Sequence, residues 1–496
     1  MHHPFEFPLD LPARGSRQRL ATLHGQLHAA ILDGRLKAGL PLPATRALAD
    51  ALGVSRNTVV AAYELLLSEG YIVARRGAGH FVADVAARRH TVPTHAKVER
   101  KEHGLTPYWR TMRTMPEPMQ LGAFAYDFRL GIPDSRPFPY DIWRRLSARA
   151  LRTMAKTPPL YGHPQGKPVL RAAIASHISF ARAVACAPDD IVVTNGAQQA
   201  FDLLARVLVT PGRSVLAVED PGYQPLQDVF AAAGARIVGV AVDEEGLVVE
   251  KLPPNANIIY VTPSHQFPLG VVMSPRRRVA LLEFARAHGA VIIEDDYDSE
   301  FRYSGRPLDA LQTLDRGDTV CYVGTFSKCL FPALRLGYAV VPPWLRPALA
   351  NAKYQADSHG NVLAQDTLAA FIAEGHLVRH VRHMRKLYAE RRDALLDALA
   401  RYAHGTLRVW PSDAGLHVAA SLPASIDASE LVERAGKSGI RLDALNSCVL
   451  DAAAVNGVGF GLGMVDVRNV EEGIRRVVEL VDRTVRLRHP LTNAPP

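Results

Sequence analysis

Nowhere in this sequence do apolar residues run for the roughly 18 to 20 consecutive positions that a membrane-spanning helix needs. The opening stretch, Met1 to Pro12, lacks the basic start and apolar core of a secretion signal. Cysteine is scarce. Cys186, Cys321, Cys329 and Cys448 are the only four, and none stands at metal-ligand spacing from another, so a disulfide framework is not expected. A reducing cytoplasm is the expected compartment. Acidic residues fall short of basic ones, 49 against 58, and the resulting net charge of +9 permits contact with a polyanion. No internal repeat or long low-complexity tract is present. What remains is an ordinary globular composition, 48% hydrophobic and 22% charged, on a chain of 496 residues, too long for one core.

Three regions differ in pattern. From about Arg17 to Val82, short helical patterns alternate with turn signals. A polar, basic stretch follows, containing RRHTVPTHAKVERKEHG, and reads as a linker over 84–126. Beyond it, helical patterns alternate with the apolar runs IVVTNG (Ile191 to Gly196), SVLAVED (Ser214 to Asp220), ANIIYVTP (Ala256 to Pro263), AVIIEDD (Ala290 to Asp296) and TVCYVGT (Thr319 to Thr325). Such runs, with helices between them, predict a mostly parallel sheet covered on both faces. After about Trp344 the pattern turns mostly helical, as for a smaller C-terminal lobe.

In the first region, QLHAAILDGRL (Gln26 to Leu36) reads as one helix and LPATRALADALGV (Leu42 to Val54) as a second, stopping at Gly53. Ser55 then caps a third that runs to about Gly70. Two helices joined by a Gly-containing turn, the second opening Ser-Arg-Asn-Thr, form a helix-turn-helix. Arg56 and Asn57 suit base edges, and Ser55 and Thr58 suit phosphates. Arg46 on the preceding helix joins this DNA-facing set. YIVARRGAGHFVA (Tyr71 to Ala83) reads as a hairpin with Gly77 and Gly79 at its tip and Arg75 and Arg76 beside it, a basic wing for double-stranded DNA. A small helical cap is the bland alternative. The whole stretch resembles the GntR-type winged helix almost position by position, which implies binding to operator DNA.

The most informative motif is GTFSKCLFPALRLGY (Gly324 to Tyr338). Pyridoxal 5'-phosphate needs an amine for its aldehyde, and Lys328 is the candidate. Its phosphate needs hydroxyls and a cation, available as Thr325, Ser327 and Arg335. A lone Ser-Lys is more often an exposed loop, but three further motifs accompany it. In EDDYDSE (Glu294 to Glu300), Asp295 can keep the pyridine nitrogen protonated and Tyr297 can meet the phenolic oxygen. Asp296 or Asp298 could instead serve a metal, but no histidine joins them in sequence, and no metal is expected. In TNGAQQA (Thr194 to Ala200), the amides of Gly196, Ala197 and Gln198 can cradle a phosphate. In EDPGY (Glu219 to Tyr223), Tyr223 can stack on the pyridine ring.

In this order the motifs resemble the fold-type-I aminotransferases. Joined to the winged helix, the chain resembles the MocR/GabR subfamily of GntR regulators over nearly its full length, with YVTPSHQFPLG and VIIEDDYDSEFRYSGRPL close to its wording. The resemblance implies an α/β fold: a winged helix over 1–83, the linker, and a pyridoxal-phosphate-binding aminotransferase-like domain over 127–490. The large lobe spans about 150–345 and the small lobe about 346–490. It also implies a head-to-tail homodimer in which Tyr161 reaches the neighbouring subunit's cofactor phosphate. His265 or Gln266 stands where aminotransferases place an Asn beside the phenolic oxygen.

The chain departs from the pattern where a substrate carboxylate is held. Gly457 stands at the arginine position of ordinary aminotransferases and Pro225 at that of GabR-like proteins. An unpaired buried carboxylate is costly, so a simple amino acid in the usual pose is disfavoured. The expectation is a transcription regulator that senses pyridoxal phosphate or another small-molecule effector. The alternatives are a working aminotransferase with a vestigial DNA-binding domain and a structural homodimer stabilised by the cofactor. Cys329 is expected to pack. His417 reads equally as a residue facing the cofactor lobe or as core.

Overall fold

Two units pack separately, Met1–Gly104 and Leu105–Pro496. The computed structural model describes residues 5, 7–13, 16, 18–84, 104–111, 124–156, 160–304, 309–403, 405–450 and 455–488, with side chains to Thr484. Most of the expected linker, including nearly all of its basic stretch, lies outside the described residues. No described helix is long and apolar enough to cross a membrane.

The first unit contains α1 (Arg19–Leu32), α2 (Thr45–Leu52), α3 (Arg56–Ser68), β1 (Ile72–Arg75) and β2 (Gly79–Val82). α1 starts seven residues earlier than the sequence reading, because Leu20 and Leu23 extend the apolar stripe of Leu27 and Ile31 onto the core. Gly53 ends α2 at φ 60°, a conformation that suits glycine. The Ser55 hydroxyl caps α3 by accepting from the Thr58 amide at 3.2 Å. Leu48, Val59, Tyr63, Leu66 and Ile72 close the core, and the Tyr63 hydroxyl donates to the Pro43 carbonyl at 3.0 Å. β1 and β2 pair antiparallel, Arg75 opposite Gly79, as a two-stranded wing.

The second unit opens with α4 (Pro107–Thr111), β3 (Tyr126–Asp127), α5 (Tyr140–Met154) and α6 (Pro168–Arg182). Its main body alternates β4 (Ile191–Thr194), α7 (Ala197–Leu208), β5 (Val215–Asp220), α8 (Gln224–Ala232), β6 (Arg236–Asp243), β7 (Gly246–Leu247), β8 (Ile258–Val261), α9 (Pro275–His288), β9 (Val291–Asp296), α10 (Leu311–Leu314), β10 (Val320–Thr325) and β11 (Gly337–Val340). These eight strands form one sheet, ordered β4-β11-β10-β9-β8-β5-β6-β7. Only β7 and β11 run antiparallel to their neighbours. α7 and α8 cover one face through Phe201, Leu204, Leu226 and Phe230; α9 covers the other through Leu281, Leu282 and Ala285. Burial on both faces explains the unbroken apolar runs of β4, β5 and β8.

α11 (Arg346–Asp357) and α12 (Val362–Ala373) lie in the span assigned from sequence to the small lobe. Instead, α11 packs against α7, and α12 against α5 and α6. α13 (His376–Tyr402) then leads to β12 (Arg408–Val409), β13 (His417–Ser421), α14 (Ala428–Lys437), β14 (Ile440–Arg441), β15 (Asp443–Ala444), β16 (Gly457–Gly461) and α15 (Val467–Arg488). A second sheet, β12-β13-β16-β15, packs with α13, α14 and α15, while β14 pairs with β3.

Candidate functional site

The carboxyl ends of β9 and β10 and the turn into α7 open onto one cavity of about 770 Å³ including its mouth. Open α/β sheets collect ligand-binding groups at this edge. Lys328, in the connection after β10, lines it and donates to the Gly131 carbonyl at 2.6 Å. Burial pushes the amine below its ordinary basicity, against the pull of Asp298 and Asp295. A buried amine of lowered basicity is a better nucleophile at neutral pH.

Asp295 closes the floor. Burial raises its carboxyl to about 7, while Tyr260 donates to Oδ2 at 2.7 Å. The other oxygen, Oδ1, is buried with no partner among the described residues. Such an orphan has the chemistry to accept a hydrogen bond from a protonated ring nitrogen and so keep the proton there. Asp296, the next residue, faces elsewhere, accepting from Arg182 at 2.7 Å and from Tyr322 at 2.6 Å.

At the opposite end, Thr325, Ser327 and Arg335 line the cavity beside Ala197 and Gln198. The Thr325 and Ser327 hydroxyls lie 3.0 Å apart. Arg335 takes a left-handed backbone at φ 52° and donates to the Asn195 carbonyl at 2.8 Å. A Cβ built on Gly196 would lie 2.9 Å from that guanidinium, so only glycine leaves the cradle open. Hydroxyls, a helix amino end and an arginine fit a phosphate dianion. Tyr223 and Tyr297 form walls, Tyr223 edge-on to Phe267 at 5.8 Å between ring centres.

Tyr161 and His265 do not line this cavity. Tyr161 is 88% exposed and its ring packs edge-on to His359. His265 sits behind Tyr297, its Nδ1 3.0 Å from the Tyr297 hydroxyl and 3.1 Å from both oxygens of Asp298. Gln266 is turned away, donating to the Pro221 and Phe267 carbonyls. The expectation that no histidine joins the acidic cluster is corrected: the fold brings His265 and His417 to Asp298, with polar atoms within 4.8 Å of one another. The two histidines come from the loop after β8 and from β13, distant in sequence. Gly131, Tyr260 and Phe267 are further cavity residues that sequence reasoning missed, and His417 proves to be wall. Cys329 is fully packed.

Gly457 has no room for a side chain. A Cβ there would lie 2.4 Å from the Ala420 carbonyl oxygen on β13. Pro225 lies in the first turn of α8 and receives a bond from Gln198 at its carbonyl.

In the first unit, Arg46, Arg56 and Asn57 are exposed, with the last two opening α3. The Ser55 and Thr58 hydroxyls bond to each other at 2.8 Å. In the wing, Arg76 is exposed and the Arg75 guanidinium lies over the Phe81 ring at 4.5 Å. Gly77 and Gly79 carry the tight tip at φ 78° and 93°.

Comparison with known proteins matches residues 21–82 to "Bacterial regulatory proteins, gntR family" and 138–452 to "Aminotransferase class I and II". Over 460 residues, 91% of each chain, the sequence is 37% identical to the probable rhizopine catabolism regulatory protein MocR of Rhizobium meliloti. The chain belongs to the MocR-type GntR regulators. This MocR-type chain is also 33% identical, over 93% of its length and 95% of the relative's, to the pyridoxine biosynthesis regulator PdxR of Corynebacterium glutamicum. Among solved structures, it is similar to the kynurenine aminotransferase of Pyrococcus horikoshii, with TM-score 0.71 and 28% identity over 77% of this chain and 98% of that one. The MocR-type architecture makes it an HTH-type transcription regulator whose second domain has the aminotransferase fold.

Proposed function

We propose that this regulator binds pyridoxal 5'-phosphate in the cavity described above and that occupancy of the cavity sets its affinity for operator DNA. The observation that carries the reading is a complete cofactor set beside a sealed carboxylate position. Lys328, Asp295, Arg335, Ser327, Thr325 and the Gly196 cradle are all present, whereas Gly457 faces the Ala420 backbone. Bound there, the cofactor would supply an electrophilic aldehyde and an electron-withdrawing ring. Lys328 would hold it covalently, Asp295 would keep a proton at the ring nitrogen, and Arg335 with Ser327 and Thr325 would fix the phosphate. Tyr223 would cover the ring face, and Tyr297, backed by His265, would meet the phenolic oxygen.

The effector is then pyridoxal phosphate itself or a ligand without a free carboxylate. α3 and the wing read the operator, with Arg56 and Asn57 on base edges. The working form is a head-to-tail homodimer in the cytoplasm, in which the exposed Tyr161 reaches the partner's phosphate site. A ligand shifts DNA affinity only through its differential affinity for two states, so DNA must change cofactor affinity by the same factor. The test titrates cofactor-free protein with pyridoxal phosphate, with and without DNA from upstream of its own gene, reading absorbance and DNA shift. Reciprocal changes are expected. Equal affinities, together with a strong response to an ordinary amino acid such as γ-aminobutyrate, would overturn the reading.

A further inference from the structure

His417 sits on β13 opposite Gly461, 1% exposed, yet its ring forms part of the cavity wall. Its Nε2 lies 2.9 Å from the Pro268 carbonyl oxygen, an atom that can only accept. The proton of the ring is therefore on Nε2. Nδ1 keeps a free lone pair and has no hydrogen-bond partner among the described residues. Burial, with His265 and Lys328 nearby, holds the ring well below its ordinary basicity, so it stays neutral. The two cations that line the cavity, Lys328 and Arg335, are the ones the cofactor engages. The remaining wall near His417 offers Phe267, Tyr297 and Gly131, with the Asp298 carboxylate behind.

Resting on the cofactor reading above, we propose that His417 is a specificity-determining residue that accepts a hydrogen bond from the effector through Nδ1. The ligand class that follows is an amine whose body carries a hydroxyl or another donor and no carboxylate. An arginine clamp would reward an anion; a neutral acceptor beside a buried carboxylate penalises one and rewards a donor. The sealed backbone at Gly457 removes the usual place from which a cation would correct this.

The experiment uses the full chain loaded with pyridoxal phosphate and three amines on one three-carbon skeleton: aminopropanol, propylamine and β-alanine. The change in the cofactor's absorbance gives each dissociation constant, and the DNA shift gives an independent readout. Aminopropanol should bind up to about tenfold more tightly than propylamine, the yield of one buried hydrogen bond, and β-alanine should bind weakest. His417→Ala should bring aminopropanol and propylamine level, and His417→Asn, which keeps an acceptor, should retain part of the preference. The wild-type ranking decides the matter even where a variant folds poorly. β-Alanine binding most tightly, or the preference surviving in His417→Ala, would overturn the proposal. So would no response to any of the amines with a normal cofactor band, an outcome that leaves the cofactor reading standing. Absence of any cofactor band in the wild type would instead overturn both.

Discussion

Replacing Gly196 with alanine should strike the phosphate end of the cavity twice. The residue holds φ 76° and ψ 173°, a region essentially reserved for glycine, and forcing alanine into it costs about 1–3 kcal/mol of stability. The added methyl also meets the Arg335 guanidinium at 2.9 Å, while that group is tied to the Asn195 carbonyl. The guanidinium must move. A phosphate then loses roughly one charge-assisted hydrogen bond, about 1.5–3 kcal/mol, or about tenfold to a hundredfold in affinity. Gly212→Ala is the matched control. Gly212 also has positive φ, 75°, but an added methyl meets nothing within 4 Å, so it should cost stability without touching the cofactor. Denaturation gives the first quantity and titration of cofactor-free protein with pyridoxal phosphate gives the second. Wild-type cofactor affinity in Gly196→Ala would refute the assigned cradle.

Lys328→Ala should lose the absorbance of the lysine-bound cofactor while the protein stays folded; a retained band in that variant, read by spectroscopy with circular dichroism, would contradict the assignment. Arg56→Ala and Asn57→Ala should each cost about 1–3 kcal/mol of operator binding and relax sequence preference. Arg76→Ala should weaken binding to all DNA and lower its salt dependence; a salt slope unchanged in shift assays would argue against the wing. Asp295 binds its proton far more tightly folded, at about 7, than unfolded, near 3.8, and Glu219 and Glu294 are raised to about 7 as well. The folded state thus holds more protons across this window, so the cofactor-free protein should lose stability as pH rises from about 4 to about 7. Asp295→Asn should flatten that slope; a denaturation midpoint that rises with pH would sink the account.

The recognition helix and wing were readable because their signals are local: Ser55 caps, Gly53 stops, and Gly77 and Gly79 turn the hairpin. β5, β8, β9 and β10 were readable because strands buried on both faces are continuously apolar. β6 escaped notice: it is mostly half-exposed and broken by Gly239, whose missing side chain leaves room for Asp220. β11 is only four residues long and was absorbed into the end of the lysine motif. Within the site, Lys328, Asp295 and Arg335 stood in motifs that span a few residues each. Gly131 lies 197 residues from the lysine it bonds, and Tyr260 lies 35 from Asp295, separations at which local spacing carries no signal. His417 was undecidable for the same reason, since its role depends on a carbonyl 149 residues away.

One antiparallel strand makes the sheet a ruler for the cofactor site. Val323 is in register with Asp295 on β9, Thr325 with Gly337 on β11, and Gly337 with Thr194 on β4. β11 lies between β4 and β10 and enters the sheet at the rim where those two strands leave it, which is why Arg335 arrives beside the residues that follow β4 and β10. The tolerance of this loop to length change is therefore uneven. Between Lys328 and Arg335 an inserted residue meets the buried Cys329 and Leu330 first, and an exposed position only at Ala333. One inserted within β11 shifts its pairing on both sides at once and turns every side chain to the opposite face. Surviving insertions in a mutational scan should be confined to the neighbourhood of the exposed Ala333 and vanish after Leu336.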